Sequence, residues 1–283
     1  MISIYFGNFH MRAISVMATC LWVLVFTSNA GAEKTGDPFP RVALSYILKV
    51  NGKTLWAHRP NRKLPCASLT KVMTALLVLE QGKLEDIVTI SPAAAKETGT
   101  RIGLRKGESM QVGYLLAATL IMSANDACRS LAEHIGGSEH GFVALMNRRA
   151  KELDMKETHF SNACGHDHPE LYSTAHDLTI LAEAALKNRI FSEYVKSVYA
   201  HITTADGRSF YLENKNELIG RYPGAIGVKS GYTPEAGKCL IALAERDDIQ
   251  VLLVLLNAPN RWWDSETVLN EAFSFVRTAD KKP

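Results

Sequence analysis

Apolar residues in the first part of the chain recur at strand spacing and then at helix spacing. Residues 41–50 predict a strand, Asn51-Gly52 is a strong hairpin-turn signal, and residues 54–58 predict the returning strand. After a loop with two prolines, apolar residues from Leu69 to Leu77 recur every three to four positions. This spacing predicts a buried helix over 66–77, with Ser68 near its start.

The rest of the chain passes from a helical block to further strands. Four segments have a helical period, at about 113–122, 124–135, 141–153 and 175–187. Strand patterns then return, with one hairpin turned by Gly207-Arg208 and another over 237–257, and a last amphipathic helix runs from about 263 to 278. This order predicts an α/β (α+β) fold with an inserted all-helical lobe at about 92–190, and a cleft between the two lobes.

Composition and charge narrow the range of functions. The 283 residues are 47% hydrophobic and 22% charged, which is ordinary for a globular protein that buries a core. The net charge is only +3, and the chain has no dense run of lysines or arginines. We therefore expect no nucleic-acid partner.

Residues 1–32 have the pattern of a secretory signal. Arg12 is the last positive charge before the apolar run 13–26, and Ala30-Gly31-Ala32 matches an A-x-A cleavage site. The run is short for a membrane span, although an uncleaved anchor is the alternative. We expect an exported protein, periplasmic or secreted after cleavage, whose mature part is residues 33–283.

The cysteine count leaves the disulfide state open. Cys20 lies in the predicted signal, so the mature chain has four cysteines, Cys66, Cys128, Cys164 and Cys239. Three complete pairings are possible in an oxidising compartment. Buried free thiols at Cys66 and Cys128, which lie in apolar helical runs, are the alternative.

A serine and a lysine lie three positions apart at the start of the first predicted helix. Side chains at this spacing are neighbours on one helix face, so the Lys71 amine can reach the Ser68 hydroxyl. A lysine in an apolar helix is costly when charged, and a deprotonated lysine is the base that a serine nucleophile needs. The alternative is a capping serine beside a solvated lysine.

Two polar triplets fall where the cleft is predicted. Ser123-Ala124-Asn125 interrupts an apolar run, and predicts either a helix cap or a proton-passing hydroxyl beside an amide that orients a substrate. Lys229-Ser230-Gly231 predicts a strand that binds a peptide carboxylate, with Gly231 allowing close approach of a ligand backbone. Its alternative is a solvated lysine on a strand edge.

Together the three motifs resemble a known family. Ser68-x-x-Lys71, Ser123-x-Asn125 and Lys229-Ser230-Gly231 occur in the order found in penicillin-binding proteins and class A β-lactamases. The chain is similar to the low-molecular-mass penicillin-binding proteins, the D-alanyl-D-alanine carboxypeptidases of serine peptidase family S11. The residues that carry this likeness are 67–74, 121–127, 172–178 and 227–239. The resemblance covers 33–283 and implies a β-lactamase/transpeptidase-like fold, an antiparallel sheet flanked by helices.

The resemblance implies a serine peptidase mechanism with no metal or other cofactor. Ser68 would attack the carbonyl between two D-alanines to form an acyl-enzyme, with Lys71 as the general base. Ser123 would pass the proton to the departing D-alanine, and Asn125 would hold the substrate amide. Water would then hydrolyse the acyl-enzyme, so that the terminal D-alanine of a peptidoglycan stem pentapeptide is removed.

The same resemblance assigns binding roles to the third motif and to the last helix. Lys229 would supply positive potential, and Ser230 a hydrogen bond to the terminal carboxylate. The backbone N–H groups of Ser68 and Tyr232 would form an oxyanion hole. Arg261, near the start of the last helix, would help to bind the carboxylate; a surface ion pair is the alternative.

Three sequence details bear on the choice within this superfamily. Ser230 stands where threonine is commoner, which retains the hydroxyl, and the literal Lys34-Thr35-Gly36 lies beside the predicted cleavage site. Glu266-Thr267-Val268-Leu269-Asn270 resembles the deacylating-glutamate motif of class A β-lactamases, but it follows Lys229 instead of preceding it. We therefore expect β-lactams to inhibit the protein covalently, and a β-lactamase is a less favoured alternative.

Two further functions stay open at the level of sequence. The chain stops at Pro283, without the β-rich domain and membrane-anchoring helix of many family members, so we expect a monomer with no stable anchor. That form also resembles the family's endopeptidases, which cut the D-alanyl cross-link to meso-diaminopimelate. A non-catalytic cell-wall-binding module is the other alternative, and the intact Ser68, Lys71 and Ser123 oppose it.

One loop has the residue types of a metal site. Residues 164–168 are Cys-Gly-His-Asp-His, and thiolate and imidazole groups are typical zinc ligands. The family resemblance implies no metal in this region, and the remaining histidines are scattered without ligand spacing. We expect a polar loop without a metal.

Overall fold

An antiparallel sheet of five strands forms the centre of the structure. The computed structural model describes residues 37–279, so the predicted signal and the triplet at 34–36 lie outside the described residues. The strands are β1 (Ser45–Val50), β2 (Lys53–His58), β3 (Ile87–Thr89), β4 (Ser109–Gln111), β5 (Tyr199–Thr203), β6 (Ser209–Glu213), β7 (Ala225–Thr233), β8 (Gly237–Arg246) and β9 (Ile249–Leu256). In the main sheet their order is β2-β1-β9-β8-β7, and every neighbouring pair is antiparallel.

Side chains on the two faces of this sheet enter two different cores. On β1, Ile47 packs among the buried residues of the helical lobe, whereas Tyr46 and Leu48 point to the opposite core. On β9, Val254 packs in the core of the helical lobe and Leu253 in the opposite core. Because successive residues of a strand face opposite sides, strands covered on both faces have nearly continuous apolar runs, as β8 and β9 do.

Helices cover both faces of the sheet. They are α1 (Lys71–Gln81), α2 (Pro92–Ala95), α3 (Val112–Ile121), α4 (Asn125–Gly136), α5 (Glu139–Glu152), α6 (Ala175–Leu186), α7 (Arg189–Lys196) and α8 (Arg261–Ala279). The last helix packs on one face through Val268, Leu269 and Phe273, and the others lie on the opposite side with α1 at their centre. Among the described residues, no helix is both long and apolar enough to cross a bilayer.

The main elements agree with the sequence-based predictions. The four predicted central helices are α3, α4, α5 and α6, with ends that differ by at most two residues. The first hairpin turns at Asn51 and Gly52, both with positive φ, as a two-residue turn of this kind requires. The expected mixed fold with an antiparallel sheet is therefore confirmed.

The sequence patterns did not predict the short elements. A single 3₁₀ turn at Ala67–Thr70 precedes α1, so the helix itself begins only at Lys71. The helix α7 has eight residues and is capped by Asn188, whose side chain accepts hydrogen bonds from two backbone N–H groups. The strands β3 and β4 have three residues each, too few for a period to be recognised.

A buried carboxylate fixes the loop that approaches the cleft from the helical side. Asp126, in the first turn of α4, is almost fully buried. Its side chain accepts hydrogen bonds from the backbone N–H groups of Ile102, Gly103 and Leu104, at 3.3, 2.9 and 2.9 Å. A carboxylate that satisfies several backbone donors also complements the positive end of the helix dipole.

We expect Asp126→Ala to lower the free energy of unfolding by about 3 kcal/mol, because it leaves buried N–H groups without an acceptor. Urea unfolding followed by circular dichroism measures this change. The matched control is Glu85→Ala, which removes an exposed carboxylate and is expected to change stability by less than about 0.5 kcal/mol. Equal effects of the two substitutions would contradict this role for Asp126.

Candidate active site

The three sequence motifs meet at one cleft between the sheet and the helical lobe. Ser68 lies in the 3₁₀ turn before α1, Asn125 begins α4, and Lys229 lies on β7. A cleft of about 430 Å³ opens at Ser68, and its walls include Thr100, Asn125, Gly165, His166 and Tyr232. Segments far apart in the sequence therefore supply one site.

Lys71 is buried and directed at the Ser68 hydroxyl. Its Nζ donates hydrogen bonds to Ser68 Oγ at 3.2 Å, to Asn125 Oδ1 at 2.6 Å and to the carbonyl of Cys164 at 2.6 Å. Burial lowers the pKa of Lys71 to about 7, although the negative charges of Glu97 and Asp126 act in the opposite direction. The alternative of a solvated lysine does not fit this geometry, and the arrangement suits a general base.

The Asn125 side chain contacts protein groups at both ends of its amide. Its Oδ1 accepts from Lys71, and its Nδ2 donates to the carbonyl of Thr98 at 2.6 Å. The sequence-based expectation assigned Asn125 to the substrate amide. The geometry adds a different role, because the side chain holds the Lys71 amine and also ties the loop before Thr100 to α4.

Ser123 faces a second buried lysine. It has a positive φ of 60° and lies between α3 and α4. Lys229 Nζ donates to Ser123 Oγ at 2.9 Å and to the carbonyl of Ser230 at 2.7 Å. The residue that precedes α4 is Ala124, and it makes no side-chain cap. The Ser123 hydroxyl is therefore directed to the site and does not cap the helix.

Lys229 is buried although it lies on the edge strand of the sheet. Its side chain is only 2% exposed, so the alternative of a solvated lysine does not apply. Burial, together with the positive charges of Lys71 and Arg261, holds the pKa of Lys229 well below its usual range. Two amines that both resist protonation can accept and return protons through the hydroxyls of Ser68 and Ser123.

The end of β7 lies directly against the turn that carries Ser68. A Cβ atom at Gly231 would lie 2.9 Å from the backbone nitrogen of Ser68, so glycine is required for this contact. Gly231 thus admits the backbone of Ser68, and its expected contact with a ligand backbone stays a prediction. Ser230 Oγ donates to the carbonyl of Lys215 at 3.2 Å, and the Tyr232 ring is exposed beside the cleft.

Arg261 approaches the same strand from α8. Its guanidinium donates to the carbonyl of Gly231 and, at 3.4 Å, to that of Cys239, and it stacks on the Trp262 ring at 4.5 Å. The side chain is half-buried. Arg261 therefore does not form the surface ion pair that was the alternative. Its guanidinium lies beneath the end of β7 and places a positive charge there.

The sequence did not indicate the loop that closes the site on the helical side. Cys164 forms a disulfide with Cys128, whereas Cys66 and Cys239 are free and buried. The carbonyl of Cys164 accepts from Lys71. Gly165 has a φ of 84°, and a Cβ atom there would lie 2.0 Å from the carbonyl oxygen of Ala67. The even cysteine count and the glycine were the available signals, but neither identifies a pairing or a contact.

The two remaining candidate motifs, at 164–168 and 266–270, have residues that are bonded to other protein groups. Cys164 is in a disulfide, and His166 Nε2 contacts the Glu97 carboxylate at 2.9 Å; within residues 37–279, no group of three or more metal-ligating side chains is found. In the other motif, Glu266 pairs with Arg221, and Asn270 accepts a hydrogen bond from a tyrosine on the α8 side of the sheet. Neither Glu266 nor Asn270 lies among the groups around Ser68.

Comparison with known proteins places the chain among penicillin-binding enzymes. The family model described as D-alanyl-D-alanine carboxypeptidase (peptidase S11) matches residues 42–260. The chain is 37% identical to D-alanyl-D-alanine carboxypeptidase DacF of Bacillus subtilis over 257 residues, which cover 87% of this chain and 66% of DacF. It is 31% identical to DacC of Escherichia coli over 285 residues, or 95% of this chain and 70% of DacC.

Solved structures show the same fold. A D-alanyl-D-alanine carboxypeptidase from Mycobacterium tuberculosis is similar with a TM-score of 0.78 and 31% identity, over 83% of this chain and 92% of that one. A mutant of a Streptomyces DD-transpeptidase has a TM-score of 0.79 and 30% identity, over 83% and 98%. The expected transpeptidase-like fold is confirmed by these similarities.

The Gly165 contact predicts a large effect of one methyl group. We expect Gly165→Ala to slow acylation of Ser68 by about 100-fold, because the added atom displaces the turn that carries the nucleophile. Gly207→Ala is a matched control, since Gly207 also has a positive φ, of 90°, but has no atom within 4 Å of the added position. Rates of labelling by a fluorescent penicillin measure the effect. Similar slowing in the two variants would show that backbone strain, and not the contact with Ala67, is responsible.

Proposed function

Because the chain belongs to the D-alanyl-D-alanine carboxypeptidase family of serine peptidases (S11), we propose that Ser68, Lys71 and Ser123 are its catalytic residues. The reaction is removal of the terminal D-alanine from peptidoglycan stem pentapeptides through an acyl-enzyme. The observation that carries the proposal is the buried Lys71 amine, whose Nζ lies 3.2 Å from Ser68 Oγ. An amine with a pKa near 7 can take the serine proton at neutral pH.

Acylation uses Lys71 as the base and the Ser123 hydroxyl as the relay that passes the proton to the leaving group. Lys71 takes the proton of Ser68 Oγ, and the oxygen attacks the carbonyl carbon of the penultimate D-alanine. The oxyanion is stabilised by the N–H groups of Ser68 and Tyr232, a type of contact worth about 3 kcal/mol per donor. The peptide C–N bond then breaks, and the proton that Lys71 took from Ser68 passes through the Ser123 hydroxyl, which Lys229 contacts at 2.9 Å, to the departing D-alanine amine. Lys71 is then a free amine again.

Deacylation uses Lys71 as the base a second time. A water molecule gives a proton to Lys71, and its oxygen attacks the ester carbonyl of the Ser68 acyl-enzyme. The tetrahedral intermediate expels Ser68 Oγ, which regains a proton from Lys71. The products are the shortened peptide and the free serine, so the enzyme returns to its starting state.

Polar groups and a positive charge at the end of β7 provide the site for the substrate's terminal carboxylate. Arg261 places a positive charge at this position, and the Lys229 amine and the Ser230 hydroxyl add hydrogen-bonding groups. A dipeptide end with a free carboxylate therefore meets positive potential where the scissile bond reaches Ser68. Asn125 contributes by holding Lys71 and, in our proposal, by contact with the substrate amide.

The proposal extends to inhibition and location. A penicillin acylates Ser68 in the same way, and hydrolysis of the adduct is slow because Glu266 is paired with Arg221 and takes no part in the site. Family members act on peptidoglycan in the cell envelope, and a disulfide is typical of an oxidising compartment outside the cytoplasm. Both points support export of residues 33–283 as a catalytic domain after removal of the signal.

The first test is intact-mass analysis after incubation with penicillin, followed by peptide mapping. We expect one covalent adduct on Ser68 and none in Ser68→Ala. Ser274→Ala, which changes an exposed serine of α8, is expected to keep the adduct. With a stem pentapeptide, wild-type protein is expected to release one D-alanine per peptide.

Different outcomes of this experiment separate the alternatives. An adduct without D-alanine release, together with cleavage of a D-alanyl–meso-diaminopimelate cross-link, would replace the carboxypeptidase with the family's endopeptidase activity. Rapid multiple-turnover hydrolysis of penicillin would indicate a β-lactamase. An adduct that persists in Ser68→Ala, or no adduct at all in wild-type protein, would refute the assignment of Ser68.

The pKa of Lys71 predicts the pH dependence of acylation. The reactive form is the free amine, which predominates above the lowered pKa of about 7. The second-order rate of acylation is therefore expected to rise with pH up to about 7, and to fall about tenfold per pH unit below it. Lys71→Arg is expected to abolish acylation, whereas Lys151→Arg, at an exposed position of α5, is expected to keep the profile. A rate that stays constant from about pH 5 to about pH 9 would exclude this base.

A further inference from the structure

We propose that the Cys128–Cys164 disulfide is a positioning device for the general base, because it holds together the two protein groups that bind the Lys71 amine. This inference rests on the catalytic role proposed for Lys71. The two groups are the side-chain oxygen of Asn125 and the backbone carbonyl of Cys164, each 2.6 Å from Lys71 Nζ. The two cysteines therefore act through Lys71 and are not catalytic residues themselves.

The disulfide joins the elements that carry these two acceptors. Asn125 and Cys128 lie three residues apart on α4, on neighbouring positions of one helix face. Cys164 belongs to the loop between α5 and α6, and its Cα lies 6.0 Å from that of Cys128. Both cysteines are almost fully buried. A covalent link one helical turn from Asn125 thus restrains the distance between the two acceptors.

Hydrogen bonds shape the loop but connect it to other elements. Asn162 Oδ1 accepts from the N–H groups of Gly165 and His166, which fixes the local turn. Thr74 Oγ1 on α1 donates to the carbonyl of Ala163 at 2.6 Å. The disulfide supplies the covalent tie to α4. Without it, the loop keeps its internal shape, while the carbonyl of residue 164 can move away from Lys71.

Movement of this carbonyl has a defined electrostatic consequence. The charged groups that act on Lys71 are Glu97 in the loop after α2 and Asp126 on α4, and Lys71 in turn lowers the pKa of Lys229 on β7. The largest influence is burial, which disfavours the ammonium form. Water that enters beside a displaced loop replaces the lost carbonyl as an acceptor and also reduces the burial of the amine, so the ammonium form is stabilised and the pKa of Lys71 rises. Less free amine is present at neutral pH, and acylation slows.

The test compares variants that remove the disulfide but keep the backbone carbonyl. Peptide mapping of wild-type protein, alkylated before and after reduction, is expected to show a Cys128–Cys164 bridge. Cys128→Ala, Cys164→Ala and the double variant are then compared at a temperature where all are folded. We expect kcat for the pentapeptide to fall about tenfold and the acid limb of the acylation profile to move up by about one pH unit. KM is expected to change less than about twofold.

A merely structural role of the disulfide is tested by a control with similar loss of stability. Leu253→Ala creates a cavity on the α8 side of the sheet, away from the loop. This control is expected to lower the unfolding temperature without moving the acid limb. The three cysteine variants are expected to share one profile, because any of them breaks the same link.

Three results would overturn the proposal. Two alkylated thiols at Cys128 and Cys164 in folded, unreduced protein would show that the bridge does not form. An unmoved acid limb in all three cysteine variants, with activity lost only in proportion to unfolding, would reduce the bridge to a stabilising element. A wild-type protein that forms no penicillin adduct and releases no D-alanine would instead refute the proposed function, and with it the positioning role.

Discussion

The burial of one amine is the constraint on which the site depends. Lys71 lies in an apolar helix, where a charged group without partners would be very costly. Its three acceptors come from separate parts of the chain: the turn before α1, the start of α4 and the loop after α5. Helices α1 and α4 and the loop that follows α5 must therefore converge at one point before the lysine can be accommodated, and this convergence also creates the cleft.

A second buried amine, that of Lys229, lets the site both take up a proton and release one. The positive charge of Lys71 lowers the pKa of Lys229, so the two amines do not readily carry a proton at the same time. Their contacts are matched, because each lysine binds one serine hydroxyl of the cleft. A site with this symmetry can withdraw a proton from one hydroxyl and deliver a proton through the other without a metal ion as its source of charge.

Much of this structure could be predicted from the sequence, for physical reasons. The central helices and the first hairpin have strong periods and turn signals, and side chains such as Ser68 and Lys71 are chemically distinctive. The carbonyl of Cys164 could not be predicted, since every residue has a carbonyl and its direction depends on tertiary packing. The contact between Asn125 and Lys71 could not be predicted for a similar reason, because an amide serves a substrate or a neighbouring lysine equally well; the expected contact with the substrate amide stays a prediction.

The contacts of Gly165 and Gly231 with the nucleophile turn have a consequence for adaptation to antibiotics. Gly165 approaches from the helical lobe and Gly231 from the sheet, so backbone atoms contact Ala67 and Ser68 from two sides. The core can repack around side-chain changes elsewhere, but repacking cannot relieve a change at these two backbone contacts. If Ser68 is the nucleophile, as we propose, a substitution that moves it away from a β-lactam also moves it away from the natural peptide. Resistance that preserves cell-wall metabolism is therefore expected to arise at the rim of the cleft and not at its base.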